Sequence, residues 1–158
     1  MNVLVQATTA NKKTGNIPTV IVGESYKEIT LSCQQSGCIL LHEKLGGNGG
    51  YKDLGLLPCY AHKSHVSWGT KSIFRAINKG SKTHADYSIV NGFSNSSRHA
   101  KYFRLSSIGD ASSLSRDTID ELLRVGKRYN LLPLGYTASK EATHLQSVCL
   151  LSCPTIEQ

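Results

Sequence analysis

The sequence contains no apolar run approaching the roughly 18 residues of a membrane-spanning helix, so no membrane segment is expected. Its opening, MNVLVQATTANKKTG, carries its charges after a short apolar stretch rather than before it, which is not the pattern of a secretory leader. No C-x-x-C zinc knuckle, no G-x-G-x-x-G fingerprint and no glycine loop followed by Lys-Ser/Thr occurs. These absences argue against a secreted disulfide scaffold, a dinucleotide-binding unit and a P-loop nucleotidase. Carboxylates are also scarce, with 11 Asp and Glu against 18 Lys and Arg.

The remaining composition is that of an ordinary soluble core, with 39% hydrophobic residues in 158. A chain of this length is expected to form a single domain over residues 1–158. The expected setting is the cytoplasm, or a host cytoplasm for a phage-encoded protein. The formal net charge of +7 raises the odds of a polyanionic partner such as nucleic acid or a nucleotide.

Residues 2–9 alternate weakly and are expected to form a strand, as is the β-branched run Thr19-Val20-Ile21-Val22. Four glycines lie within residues 46–50, so 45–55 reads as a flexible Gly-rich loop rather than a phosphate cradle. Residues 67–79 have helical spacing, with Ser67 as the expected N-cap and Gly80 as the residue past the end. On that helix Ile73, Phe74 and Ile77 share one side. Lys71, Arg75 and Lys79 recur every fourth residue on another, without acidic partners, and form a candidate phosphate contact. Only Trp68 and Tyr87 lie close by as aromatic stacking partners. Residues 81–100 are polar and weakly periodic and read as a loop-rich connection.

The clearest unit is a strand over 102–106, an amphipathic helix over 114–129 and a second strand over 131–137. Ser115 is suited to cap the helix and Asn130 to end it. Asp117, Asp120 and Glu121 sit in its first half and Lys127 and Arg128 in its last turn, as the helix dipole favours. Strand, helix and strand over about 36 residues make a βαβ unit with parallel strands. The expected fold is therefore a single α/β domain built on a small open sheet or a partial barrel. Ligands of parallel sheets bind beyond the carboxyl ends of the strands. Here those ends carry Ser106-Ser107-Ile108-Gly109-Asp110 and Tyr136-Thr137-Ala138-Ser139-Lys140. Asp110 is suited to bind a ribose hydroxyl or a metal-bound water, to act as a base, or simply to cap the next turn. Arg104 and Tyr136 are the other candidate ligand-binding residues.

Five cysteines, Cys33, Cys38, Cys59, Cys149 and Cys153, are an odd number and suit no complete disulfide framework. Two close pairs and a fifth thiol instead fit a zinc or iron–sulfur site, with His62 or His65 able to complete it; buried inert thiols are the alternative. A nucleophile pair of Cys59 with His62 or His144 lacks any local protease signature. His42, His84 and His99 carry no pattern.

Several segments together resemble an uncharacterised phage and bacterial protein family. They are Asn11-Lys12-Lys13-Thr14-Gly15 with Pro18, the cysteine cluster ending in Cys59-Tyr60-Ala61, Arg104-Leu105-Ser106-Ser107-Ile108-Gly109-Asp110, and Tyr136-Thr137. The family packs its cysteines more tightly; here twenty residues separate Cys38 from Cys59, and Asn16 stands where the family often has Pro. The family brings no activity with it. Its cysteine cluster is similar to that of radical iron–sulfur enzymes, whose C-x3-C-x2-C triplet is absent here. The expected function is that of a metal-binding (zinc or iron–sulfur) α/β protein of phage or mobile-element type acting on nucleic acid or nucleotides, with the reaction open. The alternative is a non-enzymatic protein that inhibits a host protein or sequesters a nucleotide.

Overall fold

Thr19-Val20-Ile21-Val22 does what its β-branched composition dictates. In the computed structural model it is strand β2 (Thr19–Val22), with all four residues buried. The structure describes residues 3–7, 17–25, 65–106, 109–137, 139, 142–146 and 148–151, with the backbone alone for 65–68 and 150–151. Strand β1 (Val3–Gln6) pairs antiparallel with β2, Leu4 opposite Ile21 and Val5 opposite Val20. Because side chains alternate along a strand, Leu4 and Ile21 share one face, while Val5, Val20 and Val22 take the other. Both faces of β2 are covered, so it reads as a continuous apolar run instead of an alternating one.

On the first face lies helix α1 (His65–Asn78), whose Ile73 and Phe74 are buried against Leu4 and Ile21. The helix begins two residues before Ser67, which is inside its first turn rather than at its cap. Its end is as expected. Gly80 adopts φ 70°, a left-handed conformation that costs glycine nothing, its N–H bonds Ile77 O, and Ser81 N–H reaches back to Ala76 O.

On the second face lie helices α2 (Ile89–Ser96) and α3 (Arg116–Arg128), packed against Val5, Val20 and Phe103 in the main core. Helix α2 corrects the expectation of a loop over 81–100, as does a 3-10 turn at His84–Tyr87. The face α2 buries is Gly92, Phe93 and Ser96, a helical spacing with only one large apolar side chain, so it left no visible periodicity. Gly92 sits so close to β1 that a Cβ would run into Val5. The chain passes between faces around the β1 edge, Tyr87 packing with the first cluster and Ile89 with the second. That crossing covers an edge otherwise open to another strand.

Strands β3 (Tyr102–Arg104) and β4 (Leu132–Leu134) flank α3 and run parallel, Tyr102 opposite Leu132 and Arg104 opposite Leu134. The expected βαβ unit is therefore present. Strand β3 joins β2 in parallel at Thr19 and Arg104, giving the order β1-β2-β3-β4 in an open sheet rather than a barrel. Ser115 caps α3 by accepting from Thr118 N–H at 3.2 Å, and Asn130 ends it at φ 56°. The expected strand 131–137 is divided. After Gly135 the chain forms β5 (Tyr136–Thr137), which pairs with β6 (Leu150–Leu151) in a separate sheet. Gly135 permits the break because a Cβ there would sit 2.5 Å from Cys149 Sγ and 2.9 Å from Leu105 Cδ1.

Candidate functional site

Beyond β3 the chain turns at Gly109, whose φ of 89° suits only glycine well, and presents Asp110. The carboxylate is buried, at 8% exposure. Its Oδ1 accepts from Ser112 N–H at 2.8 Å and from the Thr137 hydroxyl at 2.7 Å. The Thr137 oxygen in turn accepts from Ser139 N–H at 3.1 Å. Asp110 thus caps the 3-10 turn at Ala111–Ser113 and ties it to β5. Of the roles open to it in sequence, capping is the one its hydrogen bonds fill.

Cys149 lies close to this carboxylate. Burial, and then the Asp110 charge, push its thiol up to about 11 from an ordinary 9.0. It is therefore protonated near neutrality, and only the thiolate is a good nucleophile or metal ligand. His144 donates from Nε2 to Leu114 O at 3.1 Å, pinning the Thr143–Leu145 turn to the start of α3. Among the described residues no three His, Cys, Asp or Glu side chains are grouped to hold a metal ion. Cys33, Cys38, Cys59 and Cys153, with His42, His62 and the loop 45–55, lie outside the described residues, as does the side chain of His65.

Thr137 reaches the carboxylate, so its neighbour Tyr136 takes the opposite face of the strand. Phe103 is buried in the main core with α3, so Arg104 takes the opposite face of β3. Tyr102, Leu132 and Leu134 share the face of Arg104, on the side of the sheet where α1 covers β1 and β2, and Tyr136 follows past the break at Gly135. Over β3, β4 and β5 the side chains stay open: Tyr102 is 41% exposed, Leu132 60%, Leu134 42% and Tyr136 57%. This surface was not among the sites expected from the sequence. Its signal there is the alternation Tyr102/Arg104 and Leu132/Leu134, which the two-residue period of a strand assigns to one face.

The basic row stands where its spacing put it. Ile73 and Phe74 are buried, Ile77 and Lys71 are half-buried, and Arg75 and Lys79 are exposed. Lys79 follows the last helical residue and keeps its N–H bond to Arg75 O. Neither Arg75 nor Lys79 forms an ion pair among the described residues; those present are Lys82 with Asp86 at 3.8 Å and Arg124 with Glu121 at 2.7 Å. Residues 65–101 contain six Lys and Arg and a single carboxylate, Asp86, and so hold five of the seven net positive charges. Lys82, Arg98 and Lys101 are exposed with Arg75 and Lys79. No family model, no curated protein and no solved structure matches the chain.

Proposed function

We propose that this is a nucleic-acid-binding α/β protein whose contact surface is centred on the basic segment 65–101. The observation that carries the reading is the segregation of charge. Five net positive charges fall on one quarter of the chain, while residues 102–158 balance six cations with six carboxylates. An even scatter of lysines would serve solubility; a segregated excess attracts a polyanion and releases its counterions on contact. Arg75 and Lys79 recur at four-residue spacing, about 6 Å along the helix axis, and form no ion pair among the described residues. The zinc or iron–sulfur reading rests on Cys33, Cys38 and Cys59, which lie outside the described residues.

The test is fluorescence anisotropy with labelled 20-residue oligonucleotides across a salt series. Affinity should fall linearly on a log–log plot, and Arg75→Ala and Lys79→Ala should each lower the slope by about one. Absence of binding at low salt, or binding indifferent to salt, overturns the reading.

A further inference from the structure

We propose that the open half of the sheet is a base-stacking platform, with Tyr102 and Tyr136 as stacking surfaces and Arg104 between them, so that the preferred ligand is single-stranded nucleic acid. This rests on the nucleic-acid reading above and adds the class of ligand. Large apolar side chains scattered singly on a surface need no explanation, but Tyr102, Leu132 and Leu134 on one sheet face, with Tyr136 just past the break at Gly135, form a patch that does. Tyr102 and Leu132 are register partners, as are Arg104 and Leu134, and neighbouring strands lie about 4.8 Å apart. Arg104 is two residues beyond Tyr102, about 7 Å along the strand, and Tyr136 is at most about 13 Å beyond the level of Tyr102.

A purely apolar partner would bury the Arg104 guanidinium at a desolvation cost. Unpaired bases suit the mixture: their faces stack on tyrosine rings and on the guanidinium plane, and their phosphates remain at the cationic border. That border is supplied by α1. A Cβ on Gly69 would lie 3.5 Å from the Gln6 side chain, which marks that flank as turned to β1. Lys71, about 200° further around the helix, lies on the flank turned away from Gln6. A duplex keeps its bases inside the stack and cannot lay them on a flat sheet, so the platform discriminates by strandedness.

The experiment compares the full-length protein with Tyr102→Ala, Tyr136→Ala and the matching Phe variants. Each is titrated with a labelled 20-residue single strand and with its duplex, as RNA and as DNA. The single strand should bind more tightly than the duplex. Each Ala variant should weaken single-strand binding roughly 5- to 150-fold, in line with base–aromatic stacking, with its salt slope unchanged. The Phe variants should retain the wild-type affinity. A difference between the RNA and DNA arms would point to 2′-hydroxyl contacts beside the stacking. Equal affinity for strand and duplex, or wild-type affinity in both Ala variants, overturns the platform while salt-dependent binding keeps the basic segment. No binding by any form overturns both. Concentration-dependent dimerisation in sedimentation, abolished by Tyr102→Ala, would assign the face to a second copy of the chain and overturn the proposal.

Discussion

Asp110 offers the sharpest separation between a structural and a ligand-binding carboxylate. Asp110→Ala removes the acceptor of two hydrogen bonds, one from Ser112 N–H and one from the Thr137 hydroxyl, at a position only 8% exposed. Hydrogen bonds to a charged group contribute about 1.5–3 kcal/mol each, and the relief of a buried charge offsets part of the loss. A net destabilisation of about 2–4 kcal/mol follows. At about 2–4 °C per kcal/mol for a chain of this size, Tm falls by roughly 5–15 °C. Asp110→Asn keeps an oxygen in place and costs about 1 kcal/mol. Thr137→Val removes the other partner of the 2.7 Å contact, so the double variant should be less destabilised than the sum, by about 1–2 kcal/mol. Urea melts of the four proteins close the cycle. In the same preparations, Asp110→Asn should bind a single-stranded oligonucleotide to within about 0.5 kcal/mol of wild type. Additive melts would refute the Asp110–Thr137 tie, and a large loss of binding at wild-type stability would make Asp110 a ligand residue.

Three further outcomes follow from the same geometry. The Cys149 thiol is raised from 9.0 to about 11, so the unfolded chain loses this proton first as pH rises. The stability it contributes is complete below pH 9 and is lost toward pH 11. Discounted for a half-exposed group it amounts to no more than about 1–2 kcal/mol, and Cys149→Ala should flatten that part of the pH profile in urea melts. Peptide mapping after iodoacetamide at pH 7.5 should find Cys149 unmodified in the folded protein. Gly92→Ala gains about 1 kcal/mol of helix propensity but drives a Cβ into Val5, so a net loss of about 1–3 kcal/mol is expected in denaturant melts. Gly80→Ala meets no atom within 4 Å and should lose only the backbone cost of its positive φ, about 1 kcal/mol.

The parts of the fold carried by local chemistry were legible in the sequence. Ser115 and Asn130 bound α3 because a cap and a left-handed terminator act within one turn. The row from Lys71 to Lys79 lies opposite Ile73 and Phe74 because helical periodicity fixes it. What escaped depended on contacts distant in sequence. Helix α2 is held by Gly92 against Val5 and by the Ser96 hydroxyl 2.6 Å from Ala7 O, small groups that leave no hydrophobic stripe. The division of the last strand at Gly135 depends on Cys149 and Leu105, which no local pattern announces. Tyr136 and Thr137 are adjacent in a strand, so only one of them can face Asp110, and it is Thr137.

The junction of β2 and β3 bears on the order of assembly. The β1–β2 hairpin and the β3–α3–β4 unit each bring together residues near in sequence. The two halves meet where Thr19 lies opposite Arg104 and Arg104 N–H donates to Pro18 O at 2.8 Å. Closing the long intervening chain costs entropy that grows with its length, and such non-local pairings form late. Refolding should therefore show two early local units and a slower docking step. In native-state hydrogen exchange the Arg104 amide should open at lower free energy than the interior of α3, in a sub-global step rather than complete unfolding. A strand lying across Arg104 would span that seam, so a bound ligand should slow exchange there more than within either half.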